Sequence, residues 1–464
     1  YERWLYVVSV ESATELCFDT VESGFGKGRK MKITVIMPSL NVAPYIEKCI
    51  QSVVNQTLQD IEILCIDAGS TDGTLEILEQ FKREDSRIRI IHSDKKSYGY
   101  QVNMGIDMAK GKYIGIVETD DFIASDMYEK LYDIAESHNL DYAKGTYDNF
   151  ISLDENHVSS WGIQPLGNYS QYRDRVIEAC NIPQIYAYDA NIWSGIYNRN
   201  FLLKNYIRLN ESLGAAYQDI GFLQQTIGYA QRAWYSSQSF YRYRIDRDES
   251  SVKSPKGLNF SKGEFERLVS DKRLFDGIAC KQGLYSRMLL SFLAELKRIL
   301  PLVSYDMSSE YVKDSFLWFK NSLKGHYQGS ICTADKEEFE AVLRDENGYV
   351  QSLKRKNIDK QNRRDKICQD IELMPVVIFG AGIRGGSALC FLLSNQKNVV
   401  AFCDNDKEKQ TDPDVCMPVL SIDICMKKYP GAVYVIANKY HAGDIQLQLL
   451  DMGVEASRIM VFDR

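Results

Sequence analysis

A chain of 464 residues, 45% hydrophobic and 26% charged, has the composition of a globular protein and length for about three domains. Its net charge of −7 argues against wholesale nucleic-acid binding. No run approaches the roughly 18 apolar residues that span a bilayer, and Trp4–Val8, flanked by Glu2, Arg3 and Glu11, is too short for a signal-peptide core, so a cytoplasmic protein is expected.

Residues 1–30 show no clear period and are assigned no role. From Met31 the pattern alternates. Ile33–Met37, Ile61–Ile66, Ile88–His92 and Tyr113–Val117 read as strands, and Pro44–Asn55, Thr74–Arg83 and Gln101–Ala109 as helices. Strands separated by helices of about ten residues imply βαβ crossovers and a parallel sheet. In such a sheet ligands bind at the carboxyl edge. Asn41 follows the first strand, Asp67 ends the second, and Glu118-Thr119-Asp120-Asp121 follows the fourth, so three polar clusters open on that edge. The acids either hold a divalent cation that also binds phosphate oxygens or form an acidic turn ahead of a helix near Ser125. Their convergence with Asn41 and Asp67 points to a nucleotide site.

From Gly257 to about Met374 the pattern is helical. Met288–Leu300 carries apolar residues at 289, 292, 293, 296, 299 and 300, a stripe that Pro301 is expected to end. Lys354–Lys366 holds seven basic residues, read as a solvated helix face or linker, with contact to anionic lipid as the alternative. The last unit begins at Pro375. A strand at Val376–Phe379 leads into Gly380-Ala381-Gly382-Ile383-Arg384-Gly385-Gly386 and a helix, and a strand at Val399–Cys403 leads into Asp404, 24 residues after the first glycine. That spacing fits a dinucleotide-binding fingerprint, making Gly380, Gly382, Gly385 and Asp404 nucleotide-binding candidates. About 90 residues is too short for a full dehydrogenase, so a small binding or structural Rossmann-like module is expected. The 11 cysteines form no C-x-x-C pair and the 5 histidines no H-x-x-x-H pair, which argues against a zinc site or a disulfide framework.

Ile33–Asn41, Ser52–Gln56, Asp67–Gly73, Gly111–Ile114, Glu118–Asp121, Trp193–Arg199, Tyr217–Phe222 and Tyr241–Arg244 together resemble family 2 glycosyltransferases of the GT-A fold, over roughly residues 31–255. The resemblance implies a GT-A domain at 31–258; with the pattern on either side, the expected α/β chain has an extension at 1–30, that domain, a helical region at 259–373 and a Rossmann-like domain at 374–464. The resemblance also implies transfer of a sugar from a nucleoside diphosphate to an acceptor hydroxyl, with inversion, in cell-surface polysaccharide synthesis. Asp67 then resembles the acid that binds the nucleotide base. Glu118 and Asp120 stand at the D-x-D positions, where Asp120 would hold Mg²⁺ or Mn²⁺ and Glu118 would face the ribose or a metal-bound water. Asp219 resembles the general base, and Trp193 the aromatic residue lining the sugar pocket. Ser39, Asn41, Asn103, Arg242 and Arg244 complete the implied donor site. The chemistry asks for the same groups: cations to neutralise the departing diphosphate, for which Arg242, Arg244 and Arg247 are candidates, and a base for the acceptor hydroxyl.

The chain departs from the family pattern at Leu40, Ala68, Val102, Glu118 and Gln218, so base and ribose recognition are expected to differ from the commonest uridine pattern. The expected partners are a nucleoside-diphosphate sugar and a glycan or lipid-linked acceptor, with no nucleic acid; peripheral membrane contact, a homo-oligomer and a nucleotide on the C-terminal unit stay open. Two rivals remain at this stage: a non-catalytic sensor of nucleotide sugars, and an NAD(P)-linked activity in the C-terminal unit.

Overall fold

The computed structural model describes residues 31–154, 158–163, 169–247, 254–411 and 417–462; the expected extension at 1–30 lies outside them. The first half alternates as its apolar runs demand: β1 (Ile33–Ser39), α1 (Ala43–Val54), β2 (Ile61–Asp67), α2 (Thr74–Glu84), β3 (Ile88–His92), α3 (Tyr98–Met108) and β4 (Tyr113–Ile116). β1 and β2 are buried along their whole length, the mark of strands covered on both faces. Helix α3 starts three residues earlier than the pattern suggests, because the Ser97 side chain caps the Tyr100 N–H.

Beyond β4 come β5 (Phe122–Ile123), α4 (Met127–His138), β6 (Tyr142–Ser152), β7 (Val158–Ile163), α5 (Pro183–Tyr188), β8 (Gly195–Asn198), α6 (Arg199–Lys204), α7 (Gln218–Tyr229) and β9 (Ala233–Arg244). The sheet order is β3-β2-β1-β4-β8-β6-β9-β5, with β7 a hairpin partner of β6. The parallel sheet expected from the sequence holds for β3-β2-β1-β4; beyond them the sheet is mixed, with β6 and β9 parallel. β8 runs antiparallel to both β4 and β6, and β5 antiparallel to β9. The mixed half curls the sheet and brings the end of β9 back over the residues that follow β4, as in a GT-A domain.

The helical region comprises α8 (Gly257–Ser270), α9 (Lys272–Gly277), α10 (Lys281–Leu302), α11 (Lys313–Lys324), α12 (Thr333–Arg344) and α13 (Glu346–Ile371). The α10 stripe is buried at Leu289, Phe292, Leu293, Leu296, Ile299 and Leu300, in one core with Ile185, Leu223 and Phe265. Pro301 does not end this helix as expected; it lies inside the last turn. At that position proline removes one donor only, and the Val303 N–H still reaches the Ile299 carbonyl at 3.2 Å. The basic run Lys354–Lys366 lies on α13, which buries Val350, Ile367 and Ile371 at its ends. No described helix is long and apolar enough to cross a membrane.

The C-terminal unit holds β10 (Val376–Phe379), α14 (Ile383–Ser394), β11 (Val399–Cys403), β12 (Val419–Leu420), α15 (Ile422–Lys428), β13 (Val433–Ile436), α16 (Ala442–Asp451) and β14 (Ile459–Val461). Its strands are all parallel, in the order β12-β11-β10-β13-β14. The β6–β7 hairpin of the first sheet docks here. A Cβ on Gly386 would lie 2.0 Å from the Trp161 indole, so the ring packs directly on the α14 backbone. Trp161 shares a core with Ile151, Ile367, Ile371 and Leu389. The described cysteines are all free thiols.

Candidate active site

The carboxyl edge of β1 and β2 is tied together by short polar side chains. Asp67 is 1% exposed, and both its oxygens are already used. Oδ2 accepts from the Gly69 and Ser70 N–H groups at 2.8 Å each; Oδ1 accepts from the Ser70 hydroxyl at 2.5 Å and the Ser39 hydroxyl at 3.3 Å. Asp67 thus builds the loop that follows β2, and Ser39 serves the same knot. Asn41, at φ 52°, accepts from the Thr71 N–H at 2.9 Å through Oδ1 and so pins the same loop from β1. Asn103, buried on α3, is also turned away from the edge. Its Nδ2 donates to the Leu209 carbonyl at 3.0 Å and its Oδ1 accepts the Leu209 N–H at 3.0 Å, fixing the segment ahead of α7.

The acids after β4 divide by direction. Asp121 points inward, accepting from the Tyr241 hydroxyl at 2.8 Å and the Arg244 N–H at 2.7 Å, and burial pushes its carboxyl well above the usual range. Glu118 and Asp120 open on a cavity. Burial raises the Glu118 carboxyl to about 8, the charges of Asp120 and Asp219 push the same way, and the Tyr98 hydrogen bond (2.5 Å) and Arg247 oppose them. Asp120 Oδ2 accepts from Arg247 Nη1 at 2.9 Å.

Two arginines expected to face the donor do other work. Arg242 is paired with Asp148 at 3.0 Å, away from the cavity. Arg244 donates through Nε to the Asp120 carbonyl at 3.0 Å and lies over the rings of Tyr45 and Phe150, at 4.7 and 4.6 Å, so it braces the acidic turn from behind. β9 alternates its side chains across the sheet, and from this side of the cavity a cation is supplied by the coil beyond β9, at Arg247.

The opposite wall is α7. Tyr217, at φ 65°, turns the chain into the helix, and Asp219 sits in its first turn, where its Oδ1 accepts the Ile220 N–H at 3.0 Å. The helix starts at Gln218, so Asp219 lies inside its first turn. Burial raises the Asp219 carboxyl, and the nearby Arg287 guanidinium pulls it down. Gln218 donates through Nε2 to the Ser212 carbonyl at 2.6 Å and the Gly214 carbonyl at 3.2 Å, holding the loop before the helix. Trp193 forms part of the cavity wall, stacked between Tyr241 and Tyr243 at centroid distances of 4.2 and 5.0 Å. The cavity, about 590 Å³, is lined by Tyr98, Glu118, Asp120, Trp193, Asp219 and Arg247, and also by Arg287 and Glu295 from α10. These last two were missed in the sequence, where α10 shows only its apolar stripe.

Among the described residues no group of three or more His, Cys, Asp or Glu side chains is arranged for a metal ion. Glu118 and Asp120 fit a Mg²⁺ or Mn²⁺ ion that takes its remaining ligands from phosphate and water, and do not fit an all-protein cage.

In the C-terminal unit a second cavity, of about 410 Å³, opens at the carboxyl edge and includes Gly380, Asp404, Asn438, His441 and Gln448 in its wall. Gly380 has φ 111°, and a Cβ on Gly385 would lie 1.9 Å from the Gly380 carbonyl oxygen, so both positions need glycine. Gly382 has open space around it. Asp404 accepts the Ala381 N–H at 2.9 Å and pairs with Lys409 at 3.3 Å.

Residues 34–194 match the family model of glycosyl transferase family 2. The chain is 39% identical over 125 residues to the glycosyltransferase GlyG of Streptococcus pneumoniae, a stretch covering 27% of this chain and 42% of that relative. It is 27% identical over 319 residues to the cholesterol galactosyltransferase of Borreliella burgdorferi, covering 65% of this chain and 86% of the relative. The chain thus spans less than half the length of the first of these relatives. The crystal structure of Staphylococcus aureus TarS 1–349 in complex with UDP-GlcNAc is similar at a TM-score of 0.47 and 19% identity, over 70% of this chain and 88% of that one. Residues 34–194 thus carry the likeness to glycosyl transferase family 2, with Glu118, Asp120 and Trp193 inside the matched stretch and Asp219 beyond it.

Proposed function

We propose that this chain moves a sugar from a nucleoside-diphosphate sugar to an acceptor hydroxyl, inverting the anomeric carbon, in the synthesis of a cell-surface glycan. The observation that carries this reading is a single cavity in which Asp219 on α7 and the outward-facing carboxylates Glu118 and Asp120 meet around Trp193. The acceptor oxygen attacks the anomeric carbon, the bond from that carbon to the diphosphate oxygen breaks, and the hydroxyl proton passes to Asp219. One displacement of this kind inverts the centre. A base whose pKa burial has raised toward neutrality is suited to that proton transfer. Asp120 and Glu118 would hold Mg²⁺ or Mn²⁺, which supplies charge neutralisation at the leaving diphosphate. Arg247 keeps Asp120 oriented, and Trp193 contributes an apolar part of the wall against which the sugar would lie.

In this reading residues 31–258 carry the chemistry, the helical region at 259–373 supports it, and 374–464 is a Rossmann-like module with a nucleotide near Gly380, Gly382, Gly385 and Asp404. The acceptor is a glycan or a lipid-linked glycan. The test is turnover of a panel of nucleoside-diphosphate sugars with Mn²⁺ and candidate acceptors, read as release of the nucleoside diphosphate. Tight binding of a donor with no release or transfer above background would assign the chain to nucleotide-sugar sensing. Calorimetry with nicotinamide dinucleotides decides whether the C-terminal cavity accepts them.

A further inference from the structure

The helical region delivers a guanidinium into the cavity. Helix α10 runs close against α5 because residue 283 is glycine: a Cβ there would lie 2.7 Å from the Tyr186 Cβ. One turn later Arg287 lines the cavity that holds Asp219, and its Nη1–H donates to the Ala187 carbonyl, at the end of α5, at 3.2 Å. That bond uses one of five N–H donors, and among the described residues no acid forms an ion pair with it. The neighbouring cations are committed elsewhere: Arg247 to Asp120 at 2.9 Å and Arg298 to Glu295 at 2.6 Å.

The groups acting on Asp219 come from several elements. Glu264 on α8 and Glu118 beyond β4 oppose its ionisation. Lys144 on β6 is held by Asp189 in a buried pair. The phenols of Tyr98, Tyr197 and Tyr243 also feel its charge. Arg287 is the cation that counters burial and the two acids.

We propose that Arg287 is a positioning residue for the base: its guanidinium, anchored by the Ala187 carbonyl, faces the same cavity as Asp219 and favours a charged carboxylate there without pairing with it. The helical region then completes a catalytic site whose other parts lie on the first sheet and α7. This inference rests on Asp219 being the base.

The full chain is assayed as Arg287→Met and Arg287→Lys, following kcat/KM against pH, whose acid limb reports the base in the free enzyme. Arg287→Met moves that limb upward by about one pH unit, roughly a tenfold loss below it, with recovery at higher pH and a donor KM within about twofold of the parent. Arg287→Lys keeps the limb close to the parent. If Arg287→Met lacks a cooperative melt, Arg287→Gln carries the same readout. A limb that stays in place while transfer falls evenly at every pH overturns the inference. So does an unmoved limb with a donor KM raised tenfold or more, which would assign the guanidinium to the diphosphate. Absence of transfer in the unaltered chain ends the transferase reading itself, whereas normal transfer with an unmoved limb ends only the role of Arg287.

Discussion

The two parallel sheet edges of this molecule carry an acid in the same place, and only one of them becomes a site rich in distant groups. Asp67 ends β2 and Asp404 follows β11, each strand pairing in parallel with the first strand of its sheet in chain order. Both acids accept backbone N–H groups of the adjoining loops, Asp67 from Gly69 and Ser70, Asp404 from Ala381. At the first edge Asp219 arrives from α7, Arg247 from beyond β9 and Arg287 from α10. The second cavity is lined by residues of its own unit, between Phe379 and Gln448. An acid at a strand end is thus a loop-building element first. Chemistry enters with the side chains that the fold carries in from elsewhere.

This contrast can be broken most forcefully at Asp219. Asp219→Asn should lower transfer by about 10²–10⁴-fold while donor binding survives; unchanged turnover would remove the base from the first edge. The same variant tests burial. The folded-state pKa of Asp219 lies above its unfolded value, so ionising it costs stability that grows as pH rises through the carboxylate range. Asn should therefore melt higher than the parent at neutral pH, with the gap closing near pH 4. A lower melting temperature at pH 7 would contradict the buried-acid account.

Asp120→Ala should weaken donor binding in the presence of Mn²⁺ by at least about tenfold, the loss of one charge-assisted contact of about 1.5 kcal/mol. Equal donor affinity in parent and variant, with and without chelator, would place the diphosphate elsewhere. Gly386→Leu drives a side chain into Trp161 and should cost about 1–3 kcal/mol in a denaturant melt, with the cavity around Asp219 untouched. The smallest effect is expected at the second edge. Asp404→Asn breaks a half-exposed pair with Lys409 and should cost under about 1 kcal/mol, leaving transfer within about twofold. A large loss of transfer there would show that the two edges are coupled.

The strand–helix alternation of β1 to β4 was legible because buried parallel strands are unbroken apolar runs, and the run from Glu118 to Asp121 stood out at the end of one. The antiparallel half was not, since β8 and β5 have four and two residues and carry no periodicity of their own. Residue types at the site were legible, but their directions were not. Asp67 and Asn103 turn inward because unsatisfied backbone groups nearby claim them, and Arg242 is taken by Asp148 across the β6–β9 pairing. Arg287 left no local signal at all. It matters through the approach of α10 to α5, a contact between residues about 100 positions apart.

The indole of Trp161 on the bare backbone of Gly386 gives the C-terminal unit a second kind of importance, independent of any ligand. A shortened chain ending before Val376 would leave Ile151, Trp161, Ile367 and Ile371 facing water as one greasy surface. Such a fragment should be sticky, and trimming the chain to the residues before Val376 would need the hairpin repainted with polar residues.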